Sequence, residues 1–417
     1  MVNIVAKRLN VTHLLGFPID VNGNLQRALF EAIHIAKHGV KVNFVVSEDV
    51  VRKGILVKSL PRSFHDNPNI KVFSVKSLTR TGAARSVDWP NVSWRINNLV
   101  ALPIEALRLT HAYKETIMHV HAPTPVVKPF AVSLVKKLSN NPMVLDLHDP
   151  WSGHPFPILG FFDMLLRTGM MRYAINNADV IVTAHTSLIN LVKRINNRKP
   201  VILIPNGVDT EIFRPRPRNL ELMKTLGIDP EDPVILFSGH ITEEKGLDTL
   251  VYAAKIVIRQ YKNIKFLVIG AGPIRNRIEA LLDDVGLRSF FRFTGFIRAE
   301  MLAQHLSLAN ICVAPYKPLA FHDELRIETP IKVVQYLSAG KPVIMSRVSD
   351  ENVVSWSGGG LLVDPGDPKK LAEDIICLIQ DERSRERMGR KGREYVERNL
   401  DWSTIAQRLV KIYKSLL

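Results

Sequence analysis

Val234-Ile-Leu-Phe-Ser-Gly-His-Ile-Thr-Glu-Glu-Lys-Gly246 joins five apolar, strand-forming residues to a loop that opens on Gly239, closes on Gly246 and carries Lys245. A helical pattern follows. Strand, glycine-bearing loop and helix form the repeating unit of a parallel sheet covered by helices. A loop at such a junction offers backbone N–H groups and a helix N-terminus to an anion. Lys245 is placed to neutralise a diphosphate while the glycine amides donate to its oxygens. An ordinary strand-to-helix turn with a solvated lysine has the same local sequence, so the surroundings must decide.

Outward from this loop the pattern repeats in both directions. Residues 40–46, 117–121, 143–148, 180–183 and 201–205 read as buried strands in the first half, and 234–238, 266–269, 311–314 and 342–345 in the second. Between Asn24 and Gly39 the residues Leu25, Leu29, Ala32, Ile33 and Ala36 form one helical stripe, with Gly39 suited to the C-terminal cap. A chain of 417 residues exceeds one ordinary core. The expected division is an N-terminal domain of residues 1–205, a C-terminal domain of 206–399, and a C-terminal helix in 400–417. In that last segment Ile405, Leu409, Ile412 and Leu416 recur at helical spacing, suited to packing back on the first domain. The Pro/Arg-rich segment 213–218 reads as a linker or hinge. Two doubly wound domains hold ligands at strand ends, so the site is expected in a cleft between the halves.

Cys312 and Cys377 lack paired spacing for zinc or a disulfide framework, and both read as small core residues. The first eight residues lack the apolar run of a secretory signal, and no stretch of about 18 apolar residues occurs, so a reducing, cytoplasmic location is expected. Net charge is +16 and unevenly spread. Residues 1–205 hold 25 Lys and Arg against 12 Asp and Glu, which draws anionic partners to that half: phosphates, acidic lipid surfaces or nucleic acid. Nucleic acid is the weakest of these, because no binding module or stacking-aromatic pattern accompanies the charge.

Six segments sharpen the reading. They are Ile204-Pro-Asn-Gly-Val-Asp-Thr-Glu-Ile-Phe-Arg-Pro215, the loop 239–246, Ile269-Gly-Ala-Gly-Pro273, Phe293-Thr-Gly-Phe296, Pro330-Ile-Lys-Val-Val-Gln-Tyr-Leu-Ser-Ala-Gly-Lys-Pro342 and Gly359-Gly-Leu-Leu-Val-Asp-Pro-Gly-Asp367. In order and spacing they resemble glycosyltransferase family 4. Ala178-Asp-Val-Ile-Val-Thr-Ala184 and Val144-Leu-Asp-Leu-His-Asp149 resemble, more loosely, closing strands of that family's acceptor domain. The resemblance implies an α/β protein of the GT-B fold, with two Rossmann-like, doubly wound parallel-sheet domains facing a central cleft. It also implies transfer of a sugar from a nucleotide sugar with retention of anomeric configuration.

Carried across position by position, the resemblance assigns Lys245, with Gly239, His240 and Gly272, to the donor diphosphate. Gly23 approaches the diphosphate from the first domain, and His148 lies near the sugar as a catalytic residue beside Lys245. Phe296 and Ile297 lie where backbone groups read the base. His148 also fits a structural histidine at a strand end. His119 and His121 share one face of a strand, where burial accounts for them equally well.

This chain departs from the family pattern in places. His240 replaces the usual arginine, and histidine carries full charge only below its titration range. The family's two glutamates, eight residues apart, fall on Ile327 and Gln335; Gln335 still accepts a ribose hydroxyl, and Glu328, one position off, serves only after a loop shift. No Asp-x-Asp triplet occurs. The implied chemistry needs no metal and no cofactor, the leaving group being stabilised by Lys245, His240 and helix N-termini.

For the acceptor, the amphipathic stretch 94–108 and the apolar loop 155–166 lie in the basic half. Together they suit a peripheral enzyme at the inner face of a membrane, acting on a glycan or lipid-linked precursor. Two alternatives remain. A nucleotide-sugar epimerase shares the twin-domain fold, and a degenerate scaffold subunit fits the changes at His240, Ile327 and Gln335.

Overall fold

The computed structural model describes residues 9–16, 23–48, 64, 66–76, 97–113, 116–122, 127–148, 160–317, 329–347 and 352–417. It contains two compact units, one of residues 1–205 with 402–417 and one of 206–401.

Unit 1 is a seven-stranded sheet, every neighbouring pair parallel, in the order β3-β2-β1-β4-β5-β6-β7. Its strands are β1 (Asn10–Gly16), β2 (Lys41–Ser47), β3 (Ile70–Val75), β4 (Thr116–Ala122), β5 (Met143–Leu147), β6 (Val180–Thr183) and β7 (Val201–Leu203). Helices α1 (Gly23–Lys37), α2 (Leu102–Ala112), α3 (Val127–Ser139), α4 (Gly160–Asn177) and α5 (Thr186–Ile195) alternate with them. Because helices cover both faces, the inner strands are apolar on both sides. Val11, Phe44, Ile117 and Val144 join Leu25, Ala28, Leu29, Ala32 and Ala36 of α1 in one core. Leu14, Val45, Met118 and Leu145 join α2, α3 and α4 in the other. Gly39, at φ +78°, takes the left-handed turn that ends α1.

Unit 2 repeats the plan with six parallel strands ordered β10-β9-β8-β11-β12-β13. In chain order it runs α6 (Leu220–Thr225), β8 (Val234–Ser238), α7 (Leu247–Val257), β9 (Lys265–Ile269), α8 (Arg275–Asp284), β10 (Phe291–Gly295), α9 (Ala299–Leu308), β11 (Ile311–Ala314), α10 (Ile331–Ser338), β12 (Val343–Ser346), α11 (Val353–Ser357), β13 (Gly360–Val363), α12 (Pro368–Gln380) and α13 (Glu382–Asn399). Alternate residues of β8 enter opposite cores: Val234 and Leu236 meet α9 and α10, while Ile235 and Phe237 meet α7 and α12. The last helix, α14 (Trp402–Lys414), belongs to unit 1. Its Ile405, Leu409 and Tyr413 are buried in the α1 core, and Trp402 stacks on Phe30 of α1 at 5.9 Å between ring centroids.

Several expectations need correction. Segment 213–218 is fastened inside unit 2, with Phe213 buried and the Arg218 guanidinium donating to the carbonyls of Leu308, Pro230 and Asp232. Cys312 is buried as expected, but Cys377 is exposed, because α12 is amphipathic and turns that position outward. From residue 160 onward the apolar segment 155–166 is the start of α4 rather than a loop, with Leu165 and Leu166 exposed on it. Residues 94–96 and 155–159 lie outside the described residues, as do Ile327 and Glu328.

Candidate active site

In each sheet the chain reverses its direction of travel between two adjacent strands, β1 and β4 in unit 1 and β8 and β11 in unit 2. Loops diverge at such a switch point and leave a crevice at the carboxyl ends of the strands. Of the residues singled out from the sequence, His148 follows β5 of unit 1, and Gly239, His240 and Lys245 follow β8 of unit 2.

In unit 1, His13 of β1 lies in register with His119 of β4, and His121 of β4 with Asp146 of β5. His13, His119 and His121 stack in pairs at centroid separations of 4.6–5.1 Å. A polar chain crosses the strands: His13 Nδ1 lies 2.8 Å from His121 Nε2, His121 Nδ1 lies 3.1 Å from His148 Nε2, and His148 Nε2 lies 3.0 Å from Asp146 Oδ2. His119 Nδ1 is 2.5 Å from the Tyr413 hydroxyl of α14. Arg27 of α1 is also buried here. Its Nε stands 3.1 Å from Asp146 and 3.0 Å from Glu31, and its Nη1 donates to the Pro205 carbonyl.

Burial dominates the electrostatics of this cluster. It pushes Asp146 towards protonation, but Arg27, His148 and hydrogen bonds from His119 and His121 together outweigh it and hold the carboxyl well below its usual range. Glu31 goes the other way: burial raises it to about 8 despite Arg27, helped by the charge on Asp146. His13, His119 and His121 are all lowered, first by burial, and are neutral at pH 7. Glu31, His119, His121 and Asp146 each bring a donor atom within 4.8 Å of the others, a spacing that suits a metal ion. Arg27 already supplies positive charge to both carboxylates of that set.

His148 is buried at the carboxyl end of β5, inside this network. Gly23 opens α1. Sequence reasoning left Arg27, Glu31, His13 and Asp146 without roles. The available signal was a carboxylate in the middle of the apolar strand 143–147, because buried acids need a cation nearby.

In unit 2 the loop after β8 turns at Gly239, with φ +136°, passes the exposed His240, and closes in the single turn Glu243–Lys245. Glycine is required here by close backbone approach: a Cβ on Gly246 would sit 1.7 Å from the Pro315 carbonyl oxygen, and one on Gly272 of the neighbouring 269–273 loop would sit 2.2 Å from that of Ile241. The end of β8 is pinned by Tyr336 of α10, whose hydroxyl accepts the Ser238 N–H at 2.7 Å.

Lys245 Nζ stands 3.5 Å from Glu244 and 5.3 Å from the Tyr316 ring centroid. Glu243 is held by Arg277 at 2.6 Å and Lys317 at 3.1 Å. Lys332 of α10, also without a predicted role, points its Nζ to Gly239: a Cβ there would lie 2.7 Å from it. Gly270 N donates to the Gly295 carbonyl, which ties the 269–273 loop to the end of β10, where Phe296 is exposed and Ile297 half-buried. Gln335 lies half-buried on α10. Gly239, His240, Lys245, Gly272, Phe296 and Ile297 therefore lie along one edge of the unit 2 sheet.

Residues 32–212 match the family described as Glycosyltransferase Family 4, and residues 232–381 match the family described as Glycosyl transferases group 1. A GDP-mannose-dependent alpha-(1-6)-phosphatidylinositol monomannoside mannosyltransferase of Mycobacterium tuberculosis is 29% identical over 208 residues, 49% of this chain and 54% of that protein. The chain spans about half the length of the first curated relatives it matches. Among solved structures, sucrose-phosphate synthase from Thermosynechococcus elongatus superposes with a TM-score of 0.72 at 19% identity, covering 98% of this chain and 99% of that one. HepE of Anabaena in complex with UDP superposes at 0.71 and 16% identity, covering 97% and 100%. The two parallel-sheet units with these neighbours are the GT-B fold. The chain belongs to the family 4, group 1 glycosyltransferases.

Proposed function

We propose that this protein transfers a sugar from a nucleotide-sugar donor to a glycan or lipid-linked acceptor. The bond between the anomeric carbon and the donor phosphate breaks, an acceptor hydroxyl forms the new glycosidic bond and gives up its proton, and the nucleoside diphosphate leaves. The observation that carries this reading is the Gly239–Gly246 loop at the unit 2 switch point. It presents a lysine and a glycine-lined backbone edge where a diphosphate binds in doubly wound sheets. Donor binding in HepE, solved with UDP, and in the GDP-mannose-dependent mannosyltransferase supports the same ligand class here.

In this reading Lys245 and His240 stabilise the leaving diphosphate, without a metal or cofactor. Gly239 and Gly272 let backbone N–H groups approach the diphosphate. Backbone at Phe296 and Ile297 reads the base. Gln335 takes the ribose, and His148 is the catalytic candidate of unit 1. The anomeric configuration is retained. Incubation with UDP-glucose and with GDP-mannose, with release of the nucleoside diphosphate followed over time, tests this. Release by wild type and its loss in Lys245→Ala support it; no release from any nucleotide sugar, with or without a lipid extract as acceptor source, counts against it.

A cytoplasmic enzyme working at an anionic membrane surface fits the basic first half. Exposed Leu99, Val100 and Ile104 beside α2, and Leu165 and Leu166 on α4, support that placement. Among the described residues no helix is long and apolar enough to cross a membrane. Co-sedimentation with phosphatidylglycerol vesicles but not phosphatidylcholine vesicles is the expected result, and equal partitioning with both would remove the electrostatic part of the proposal.

A further inference from the structure

Lys332 is half-buried as a residue, yet its charged end is turned inward. Its stem lies on α10, one position into the helix, and its Nζ is buried with no hydrogen-bond partner among the described residues. No ion pair involving it occurs there either. What surrounds the nitrogen is aromatic: the Phe237 ring centroid is 4.0 Å away and that of Tyr316 5.4 Å. Cation–π contact offsets only part of the cost of taking an ammonium out of water. The charged groups facing it are Lys245 and Glu244, both from the loop after β8, with His240 next to Gly239 on that loop. Burial above all, then repulsion from Lys245, lowers the Lys332 pKa well below the usual lysine range, with Glu244 opposing the shift.

The same nitrogen stands against the backbone at Gly239, close enough that any side chain there would collide with it. Gly239 is the residue that opens the loop assigned to the donor diphosphate. Lys245 approaches the same Tyr316 ring, at 5.3 Å. Two lysines therefore converge on one aromatic floor beside one glycine turn, and the second of them has no hydrogen-bond partner among the described residues.

We propose that Lys332 is a second cation of the donor-diphosphate site, paired with Lys245. The inference rests on the nucleotide-sugar reading of this site. In the empty protein burial and the nearby Lys245 disfavour the charged form of the Lys332 amine. A diphosphate beside Gly239 brings acceptor oxygens and negative charge, the amine takes up a proton, and a charge-assisted contact forms that exists only while the ligand is bound. The departing diphosphate of a transfer reaction meets the same contact.

Calorimetric titration of the whole protein with UDP, GDP and ADP, at about pH 8 in two buffers of different ionisation enthalpy, tests this directly. At that pH the nucleotide's own terminal phosphate has already lost its proton, so it releases none that would mask the uptake. Wild type is expected to absorb a proton on binding. Lys332→Met is expected to lose that uptake and bind about tenfold or more weakly. It is also expected to melt higher, because an unpaired buried amine is gone. Lys332→Gln serves as the second variant, and uptake by wild type needs no variant at all. Unchanged affinity in both variants, or binding by wild type without proton uptake, overturns the role of Lys332 while leaving Lys245→Ala to report on the donor site. Failure of wild type to bind any of the three nucleotides overturns the donor reading and this inference with it.

Discussion

Glu31 is buried beside Arg27 and Asp146, and its pKa is raised to about 8. In the unfolded chain it titrates near about 4.3. Between those values the folded protein holds a proton that the unfolded chain has released, so stability falls as pH rises through that window and levels off above it. The slope contributed by this one group is at most about 1.4 kcal/mol per pH unit. Glu31→Gln keeps the shape and removes the proton exchange. Thermal melts of both proteins between about pH 5 and pH 8 should show a shallower decline in the variant; identical slopes would show that Glu31 is ionised in the folded state. Asp146 acts in the opposite sense: its stabilising ion pair with Arg27 is present above the ordinary aspartate range and is lost only in acid, as pH falls through its depressed value.

At the scale of elements, α14 closes the apolar face of unit 1 that α1 leaves open. Leu409 is completely buried among α1, β1 and β2 residues, and Arg408 donates to the Leu203 carbonyl at 2.6 Å. Leu409→Ala should cost about 2–5 kcal/mol in urea unfolding of this unit; a cost below about 1 kcal/mol would mean the helix is only loosely docked.

Some elements were plain in the sequence and others were not, for identifiable reasons. Strands 180–183, 234–238 and 311–314 are apolar but for a closing Thr183 and Ser238 and were read with their observed limits. β1 was missed although it is central, because its Asn10, Thr12 and His13 look like surface residues. They are buried because Asn43, Thr116 and His121 satisfy them from the neighbouring strands. β3 was missed because an edge strand with exposed Lys71 and Val72 has little apolar signal.

The site divides the same way. The loop 239–246 was legible because a glycine turn and its lysine are contiguous in sequence. Lys332 lies about 90 residues beyond that loop, and nothing local distinguishes a lysine on a helix that faces water from one that faces Gly239. The buried network of unit 1 was hidden likewise. Arg27, His119, Asp146 and Tyr413 meet only after four distant segments have folded together.

For the molecule as a whole, both sheets place their chemistry at the switch point, one lined by neutral histidines around a buried ion pair and the other by lysines around a glycine turn. The division fits the proposal of a diphosphate site in unit 2. It makes unit 2 the place to test first. The most direct measurement is a thermal-shift panel of UDP, GDP, ADP and their common sugar conjugates against wild type and Lys245→Ala. A ligand that binds the folded state alone raises the melting temperature, by about 2.7 kcal/mol of stabilisation at a hundredfold excess over its dissociation constant. Stabilisation by one nucleotide family, lost in Lys245→Ala, is the predicted result. No shift with any nucleotide would contradict the account and leave the degenerate scaffold reading, with His240 and Gln335 as its marks, in its place.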